Sequence, residues 1–181
     1  MTSPDDAAPR PGAVHDVMVA FQFLTRIPMP RDLKPAPGNL GRAAGWFPFV
    51  GVVVGALIGL AASLAMGVGL SPGLAAVMAV GFGVMFTGSF HEDGLADSAD
   101  AFGGGWGREQ VLAIMRDSRI GSYGAGALTL LISTRLASLW SMNPSAWITS
   151  LVAAHTIARW SSVHMLRQND YARRDGEAPG F

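Results

Sequence analysis

The feature that most constrains this chain is a long window without formal charge. Residues 45–91 contain no lysine, arginine, aspartate or glutamate, and two apolar runs, 46–68 and 73–90, fill this window. Two further apolar runs follow, 121–142 and 146–165. Each run approaches the roughly 20 residues that a helix needs to cross the hydrocarbon core of a bilayer. We therefore predict an all-α, polytopic helical membrane protein with about four transmembrane helices.

Composition and the N-terminal segment extend this prediction. Half of the residues are hydrophobic and only 14% are charged, against roughly 25% charged in soluble domains. Residues 13–27 are apolar but short, so we predict an interfacial or re-entrant helix there. Residues 1–181 are expected to form a single membrane domain, with 1–12 disordered. The net charge of zero argues against a nucleic-acid partner, and the absence of cysteine excludes thiolate chemistry.

The distribution of basic residues predicts the orientation in the membrane. Lysine and arginine precede the first run, occur between the second and third runs, and follow the fourth. The short connections 69–72 and 143–145 carry none. By the positive-inside rule, the N-terminus, the 92–120 loop and the C-terminus face the cytoplasm.

A glycine repeat marks the first apolar run. Gly51, Gly55 and Gly59 recur every four residues, which leaves one helix face without side chains. This spacing predicts close contact with another helix. The alternative is that glycine is simply common in membrane helices.

A cluster of carboxylates follows the second run. Residues 92–100 hold four acids and no base. On a helix, Asp93, Asp97 and Asp100 fall within about 60° of one another and repel by a few tenths of a kcal/mol per pair. A divalent cation would reverse that effect, and oxygen ligands favour Mg²⁺ or Mn²⁺ bound together with substrate phosphates. The alternative is an acidic segment that only solvates a loop.

Basic residues lie downstream of these acids. The glycine-rich segment 103–107 predicts a mobile loop. Arg116 and Arg119 are one helical turn apart, a spacing suited to bracketing phosphates. Their alternative roles are as cytoplasmic anchors or as partners of Asp117.

Two other arginines fall inside predicted spans. Arg135 and Arg159 are expected to face a bundle interior or a polar cavity, because charge within a membrane is costly. His155 lies one turn before Arg159 and shares its predicted face. Its alternative role is that of a buried histidine whose hydrogen bonds are satisfied.

Two motifs bear a specific family resemblance. Residues 90–101 read Phe-His-Glu-Asp-Gly-Leu-Ala-Asp-Ser-Ala-Asp-Ala, and residues 115–121 read Met-Arg-Asp-Ser-Arg-Ile-Gly. Together with 23–30 and 46–51, they closely resemble cobalamin synthase, also called adenosylcobinamide-GDP ribazoletransferase. Members of that family usually carry further apolar helices, which we expect to be absent after residue 181.

The resemblance implies an activity and its setting. A multi-pass, Mg²⁺-dependent enzyme of the bacterial cytoplasmic (inner) membrane joins α-ribazole, or its 5′-phosphate, to adenosylcobinamide-GDP. GMP leaves, and adenosylcobalamin or its phosphate forms at an active site facing the cytoplasm. The expected partners are these substrates and the lipid bilayer, and a homo-oligomer is left open.

The resemblance also implies residue roles. Asp100 would accept the hydroxyl proton, Arg116 and Arg119 would stabilise phosphate charge, and Asp117 would orient an arginine or a substrate hydroxyl. The complete expected set is catalytic Asp100, Asp117, Arg116 and Arg119; substrate-binding His91, Arg116, Arg119 and Arg159; and metal-binding Asp93, Asp97, Asp100 and Glu92.

Two other functions compete with this interpretation. A CDP-alcohol phosphotransferase uses similar chemistry, but its signature places Ala-Arg after Asp-Gly-x-x, whereas Ala96 is followed by Asp97 here. A transporter or cation channel would line its pathway with Arg135, His155 and Arg159. Transporter sites lie near the bilayer midplane, whereas this acid cluster is predicted at the membrane edge.

Overall fold

The computed structural model describes residues 12–30, 33 and 39–169, and all regular structure in this part of the chain is helical. A 3₁₀ turn, Pro144–Ala146, precedes the last helix. The helices are α1 Ala13–Leu24, α2 Asn39–Ala44, α3 Phe47–Gly67, α4 Pro72–Thr87, α5 Phe90–Gly104, α6 Arg108–Ile114, α7 Ser122–Ser141 and α8 Trp147–Gln168. The all-α prediction is confirmed. The predicted disorder at 1–12 lies almost wholly outside the described residues.

Four long helices coincide with the four predicted apolar runs. Among the described residues, α3 alone is long and apolar enough to cross a membrane as a single straight helix, with a mean hydropathy of 2.4. Helices α4 and α5 meet the same criterion only as a pair, bent by 86°. A buried helix of a soluble protein can have this length and composition too. The four-span topology therefore stays a prediction.

Helix α3 packs directly on the backbone of α8. A Cβ placed on Gly51 would lie 2.4 Å from the carbonyl oxygen of His155. A Cβ on Gly55 would lie 2.6 Å from the carbonyl oxygen of Leu151, and one on Gly59 would lie 2.8 Å from Cγ1 and 2.9 Å from Cα of Ile148. These distances leave no room for a side chain. The predicted role of the glycine repeat in close helix packing is confirmed.

A sharp bend separates apolar α4 from acidic α5. Gly88 and Ser89 have φ angles of 66° and 60°, so two consecutive residues adopt the left-handed conformation. The positive φ favours glycine at position 88, and a Cβ there would lie 2.1 Å from Nε of Arg26, so the Arg26 side chain would have to shift. The bend turns the acids of α5 away from the axis of α4.

The connection 92–120 is more ordered than a loop. Helix α5 contains all four acids, and α6 occupies Arg108–Ile114. The predicted mobile loop at 103–107 is wrong for Gly103 and Gly104, which are the last two residues of α5. A Cβ on Gly103 would lie 2.6 Å from the ring of Tyr123, so this glycine permits close packing on α7.

The predicted N-terminal helix is present as α1, shorter at its C-terminal end than the predicted 13–27. Its Asp16 is 7% exposed and accepts hydrogen bonds from Arg42 of α2, with Nη2 3.0 Å from both carboxylate oxygens. The ion pair offsets the burial of this carboxylate. Its placement in a membrane interface stays a prediction.

Candidate functional site

The four acids of α5 lie on different sides of the helix. Glu92 and Ala96 are buried, Asp93 is exposed, and Asp97 and Asp100 are half-buried. Because α5 is helical throughout, the three aspartates share one side, as their spacing predicted. Burial raises the pKa of Asp97, and the charges of Asp93 and Asp100 raise it further. We call the side of α5 that carries Asp93, Asp97 and Asp100 the aspartate face. The ionisation of Asp97 on this face therefore depends on the charges of Asp93 and Asp100.

Asp100 joins this face to the start of α7. Its Oδ2 accepts a hydrogen bond from the backbone N–H of Gly121 at 2.7 Å, and its Oδ1 accepts one from Gly124 at 2.8 Å. A Cβ on Gly124 would lie 2.3 Å from Oδ2 of Asp100, so only glycine lets the carboxylate come this close. The negative charge also complements the positive N-terminal end of α7. Asp100 caps a helix that is distant in sequence.

Glu92 lies apart from the aspartates. Its side chain is 9% exposed and forms an ion pair with Arg135 of α7, in which Arg135 Nη1 donates to Glu92 Oε1. Among the described residues, no three histidine, aspartate or glutamate side chains gather as they would around a metal ion. The structure thus does not assemble the predicted set of four metal-binding carboxylates.

The aspartate face nevertheless suits a hard cation in its chemistry. Mg²⁺ needs only one or two carboxylates when substrate phosphates and water supply its other ligands. Asp93 and Asp97 provide oxygen donors on one side of α5. The raised pKa of Asp97 reflects burial first and then the charges of Asp93 and Asp100, which a cation would neutralise. We therefore regard Asp93 and Asp97 as the pair that fits Mg²⁺.

The segment after α6 holds the second motif. Helix α6 ends at Ile114, so the expectation that Arg116 and Arg119 stand one helical turn apart is wrong. Instead, Asp117 accepts hydrogen bonds from Arg119, both from its backbone N–H at 3.1 Å and from its Nε at 2.9 Å. These bonds lower the pKa of Asp117 to about 2. They fix the loop two residues before Gly121, which Asp100 binds.

Arg135 and Arg159 face an interior cavity of about 300 Å³ between α3, α4, α5, α7 and α8, which opens to the surface beside the exposed residues Thr134, Ser138 and Ala154. Arg159 is 3% exposed, and its Nη1 lies 2.7 Å from Nδ1 of His155. Because arginine only donates, Nδ1 of His155 accepts this hydrogen bond. As expected, Arg159 is buried in the bundle, with His155 on the same face, whereas Arg135 lines the cavity with a side chain that is 36% exposed.

The predicted site residues thus form two groups. One group lies on the aspartate face and the following loop: Asp93, Asp97, Asp100, Arg116, Asp117 and Arg119. The other lines the interior cavity: His91, Glu92 and Arg159, joined by Arg135 and His155. Sequence reasoning missed the Glu92–Arg135 pair, although an arginine inside an apolar run signalled that an acidic partner was needed.

The fold and site define a helical protein with an aspartate-bearing helix at the edge of an apolar bundle. Within the bundle lie the buried Arg159 and the ion pair between Glu92 and Arg135. The sequence profile of the cobalamin-5-phosphate synthase family matches residues 16–181. The chain belongs to this family.

Relatives named adenosylcobinamide-GDP ribazoletransferase agree with this assignment. The protein of Ralstonia nicotianae is 41% identical over 169 residues, which cover 92% of this chain and 66% of the relative. That of Rhizobium johnstonii is 51% identical over 148 residues, covering 81% and 57%. That of Shewanella frigidimarina is 41% identical over 160 residues, covering 87% and 61%. The chain therefore spans less than two thirds of the length of these relatives. No solved structure matches it.

Proposed function

We propose that this chain provides the catalytic residues of an adenosylcobinamide-GDP ribazoletransferase. A ribose hydroxyl of α-ribazole, or of its 5′-phosphate, attacks the phosphorus that carries the cobinamide. A new P–O bond forms, the P–O bond to GMP breaks, and the hydroxyl proton is released. Family membership supports the reaction, and transfers of this kind depend mainly on positioning and charge neutralisation.

The aspartate face of α5, fixed against α7, is the observation that carries the proposal. Asp93 and Asp97 would hold Mg²⁺, and the bound ion would neutralise charge on the diphosphate. The two backbone hydrogen bonds to Asp100 orient its carboxylate. Each carboxylate oxygen keeps a second lone pair, so Asp100 can still accept the proton of the attacking hydroxyl.

The loop before α7 would bind the phosphates. Arg119 is oriented by Asp117, and its side chain is 86% exposed, so its charge is accessible to a substrate. Arg116, three residues earlier, would share this task. His91 and Arg159 would contact substrate from the interior side of α5, where both line the cavity.

The proposed setting is the bacterial cytoplasmic membrane. Helices α3, α4, α7 and α8 would each cross the bilayer, and the connection containing α5 and α6 would face the cytoplasm. The arginines in this connection support that orientation. The acids of α5 are too costly for the hydrocarbon core, so α5 would lie at the surface. A homo-oligomer remains compatible with this arrangement.

A GMP-release assay tests the function. The full chain, purified in detergent, is given adenosylcobinamide-GDP and α-ribazole with and without Mg²⁺. We expect Mg²⁺-dependent GMP release that Asp93→Asn or Asp97→Asn abolishes. Glu109→Gln on α6 is the control, because it changes an acid outside the aspartate face. Wild-type rates in both aspartate variants would contradict the metal assignment.

A binding measurement separates the metal site from turnover. Mg²⁺ should raise the thermal unfolding midpoint of the wild-type chain, because an ion that binds only the folded state stabilises it. The same addition should have little effect on Asp97→Asn. Equal shifts of the unfolding midpoint in both proteins would show that Mg²⁺ does not bind to this face, even if turnover is observed.

A further inference from the structure

The interior cavity has two chemically different ends. Its volume of about 300 Å³ lies at the lower limit of small-molecule sites. Aliphatic side chains of α3, α4, α7 and α8 form one end, among them Ile58, Val80, Leu131, Leu139 and Leu151. At the other end His91, Glu92 and Arg159 meet. This combination suits a ligand with an apolar ring system and a polar group.

The polar end has hydrogen-bonding groups that the described residues do not satisfy. Arg159 Nε, Glu92 Oε2 and His91 Nε2 are all buried without a partner. Arg159 and Glu92 are only 3% and 7% exposed. Leaving a buried donor or acceptor unpaired costs about 1–3 kcal/mol. A bound molecule that both donates and accepts hydrogen bonds would remove this cost.

The charges in the cavity restrict the ligand further. The ion pair between Glu92 and Arg135 leaves those two side chains without net charge. His155 is neutral, because its Nδ1 accepts a hydrogen bond from Arg159. Burial and the charge of Arg159 lower the pKa of His91 to about 4, so His91 is neutral as well. Among the described residues that line the cavity, Arg159 therefore contributes the remaining positive charge. A single positive charge cannot neutralise a diphosphate, which carries several negative charges, whereas neighbouring sugar hydroxyls can donate to Glu92 and accept from Arg159.

We propose that the interior cavity binds the acceptor nucleoside, with its fused-ring base against the aliphatic wall and its ribose at Glu92 and Arg159. The proposal rests on the ribazoletransferase function. His91 and Glu92 directly precede Asp93 on α5. The polar end of the cavity and the aspartate face therefore belong to the same turn of α5 but lie on different sides of it, and the reacting ribose hydroxyl would project past α5 toward the diphosphate. Arg135 becomes a positioning residue, since it acts on the ligand through Glu92.

The test measures binding of α-ribazole alone, without Mg²⁺ or the cobinamide substrate. The full chain in detergent is titrated with α-ribazole by calorimetry. Ala154→Phe adds a ring at the open side of the cavity, which Ala154 lines while remaining exposed, and should weaken binding at least tenfold. Ala153→Phe is the matched control, because Ala153 is an exposed neighbour on α8 that does not line the cavity. Its affinity should equal that of the wild type.

A second variant tests the polar end. Glu92→Gln keeps the shape but loses the charged acceptor, and should weaken α-ribazole binding while leaving the affinity for adenosylcobinamide-GDP unchanged. Equal α-ribazole affinity in Ala154→Phe and Ala153→Phe would overturn the proposal, whether or not the chain turns over substrate. No binding to the wild-type chain would overturn it as well. If Ala154→Phe lost co-purified lipid but kept its affinity for α-ribazole, the cavity would be a lipid site and the proposal would be overturned.

Discussion

Replacing Asp100 tests whether this residue stabilises the fold independently of any metal. Asp100→Ala removes both acceptors from the backbone N–H groups of Gly121 and Gly124. A hydrogen bond to a charged group contributes about 1.5–3 kcal/mol. Asp100 is half-buried, so we use about 1 kcal/mol for each of its two bonds, within the range of about 0.5–2 kcal/mol for helix caps. Opening of the first turn of α7 should become easier by about 2 kcal/mol, or roughly 30-fold.

Hydrogen–deuterium exchange measured by mass spectrometry provides the assay. Without Mg²⁺ or substrate, peptides covering residues 119–127 should exchange about 10- to 30-fold faster in Asp100→Ala than in the wild type. Asp100→Asn, which keeps one oxygen acceptor, should lie between them. Asp93→Ala is the control, since Asp93 is exposed on the same helix and does not bind α7. Equal exchange rates in Asp100→Ala and Asp93→Ala would refute the capping role.

Three further predictions concern packing, the buried ion pair and pH. Gly55→Ala should lower the free energy of unfolding by about 1–3 kcal/mol through overpacking. Gly81→Ala is the control and should not lower it, because no atom lies within 4 Å of the new Cβ. Equal unfolding midpoints in the two variants would contradict the α3–α8 contact. Arg135→Met should destabilise the protein by about 2 kcal/mol. This is less than the roughly 3–5 kcal/mol for a fully buried pair, because the Arg135 side chain is 36% exposed. In a double-mutant cycle, adding Glu92→Gln should restore most of the lost stability, and additive effects of the two substitutions would refute the coupling. Because the pKa of Asp97 is raised in the folded state, ionisation of Asp97 disfavours folding as pH rises through that pKa. Without Mg²⁺, Asp97→Asn should therefore be more stable than the wild type at neutral pH but not below about pH 4. A stability difference that does not change with pH would contradict this prediction.

The ion pair between Glu92 and Arg135 changes the interpretation of the acidic motif. In the sequence, Glu92 is simply the first of four acids. In the fold, it faces α7 and the cavity, while Asp93 faces away from them. One residue along a helix rotates a side chain by about 100°, and this rotation separates a cavity residue from a metal-site candidate.

Local patterns were sufficient for much of this architecture. The apolar runs predicted the positions of α3, α4, α7 and α8, because helix formation follows local hydrophobicity and length. The repeat at Gly51 and Gly55 predicted a close helix contact, although it did not identify α8 as the partner. The spacing of Asp93 and Asp97 placed them on one side of α5, since helical periodicity is a property of the chain itself.

What the sequence determined by itself was which residues carry charge, which segments are apolar, and which side chains share a helix face. The tertiary structure alone decided which faces meet. Contacts between Asp100 and Gly121, or between Glu92 and Arg135, join residues 21 and 43 positions apart. Such contacts depend on the bend at Gly88 and on how closely the helices pack, and no local periodicity encodes either quantity.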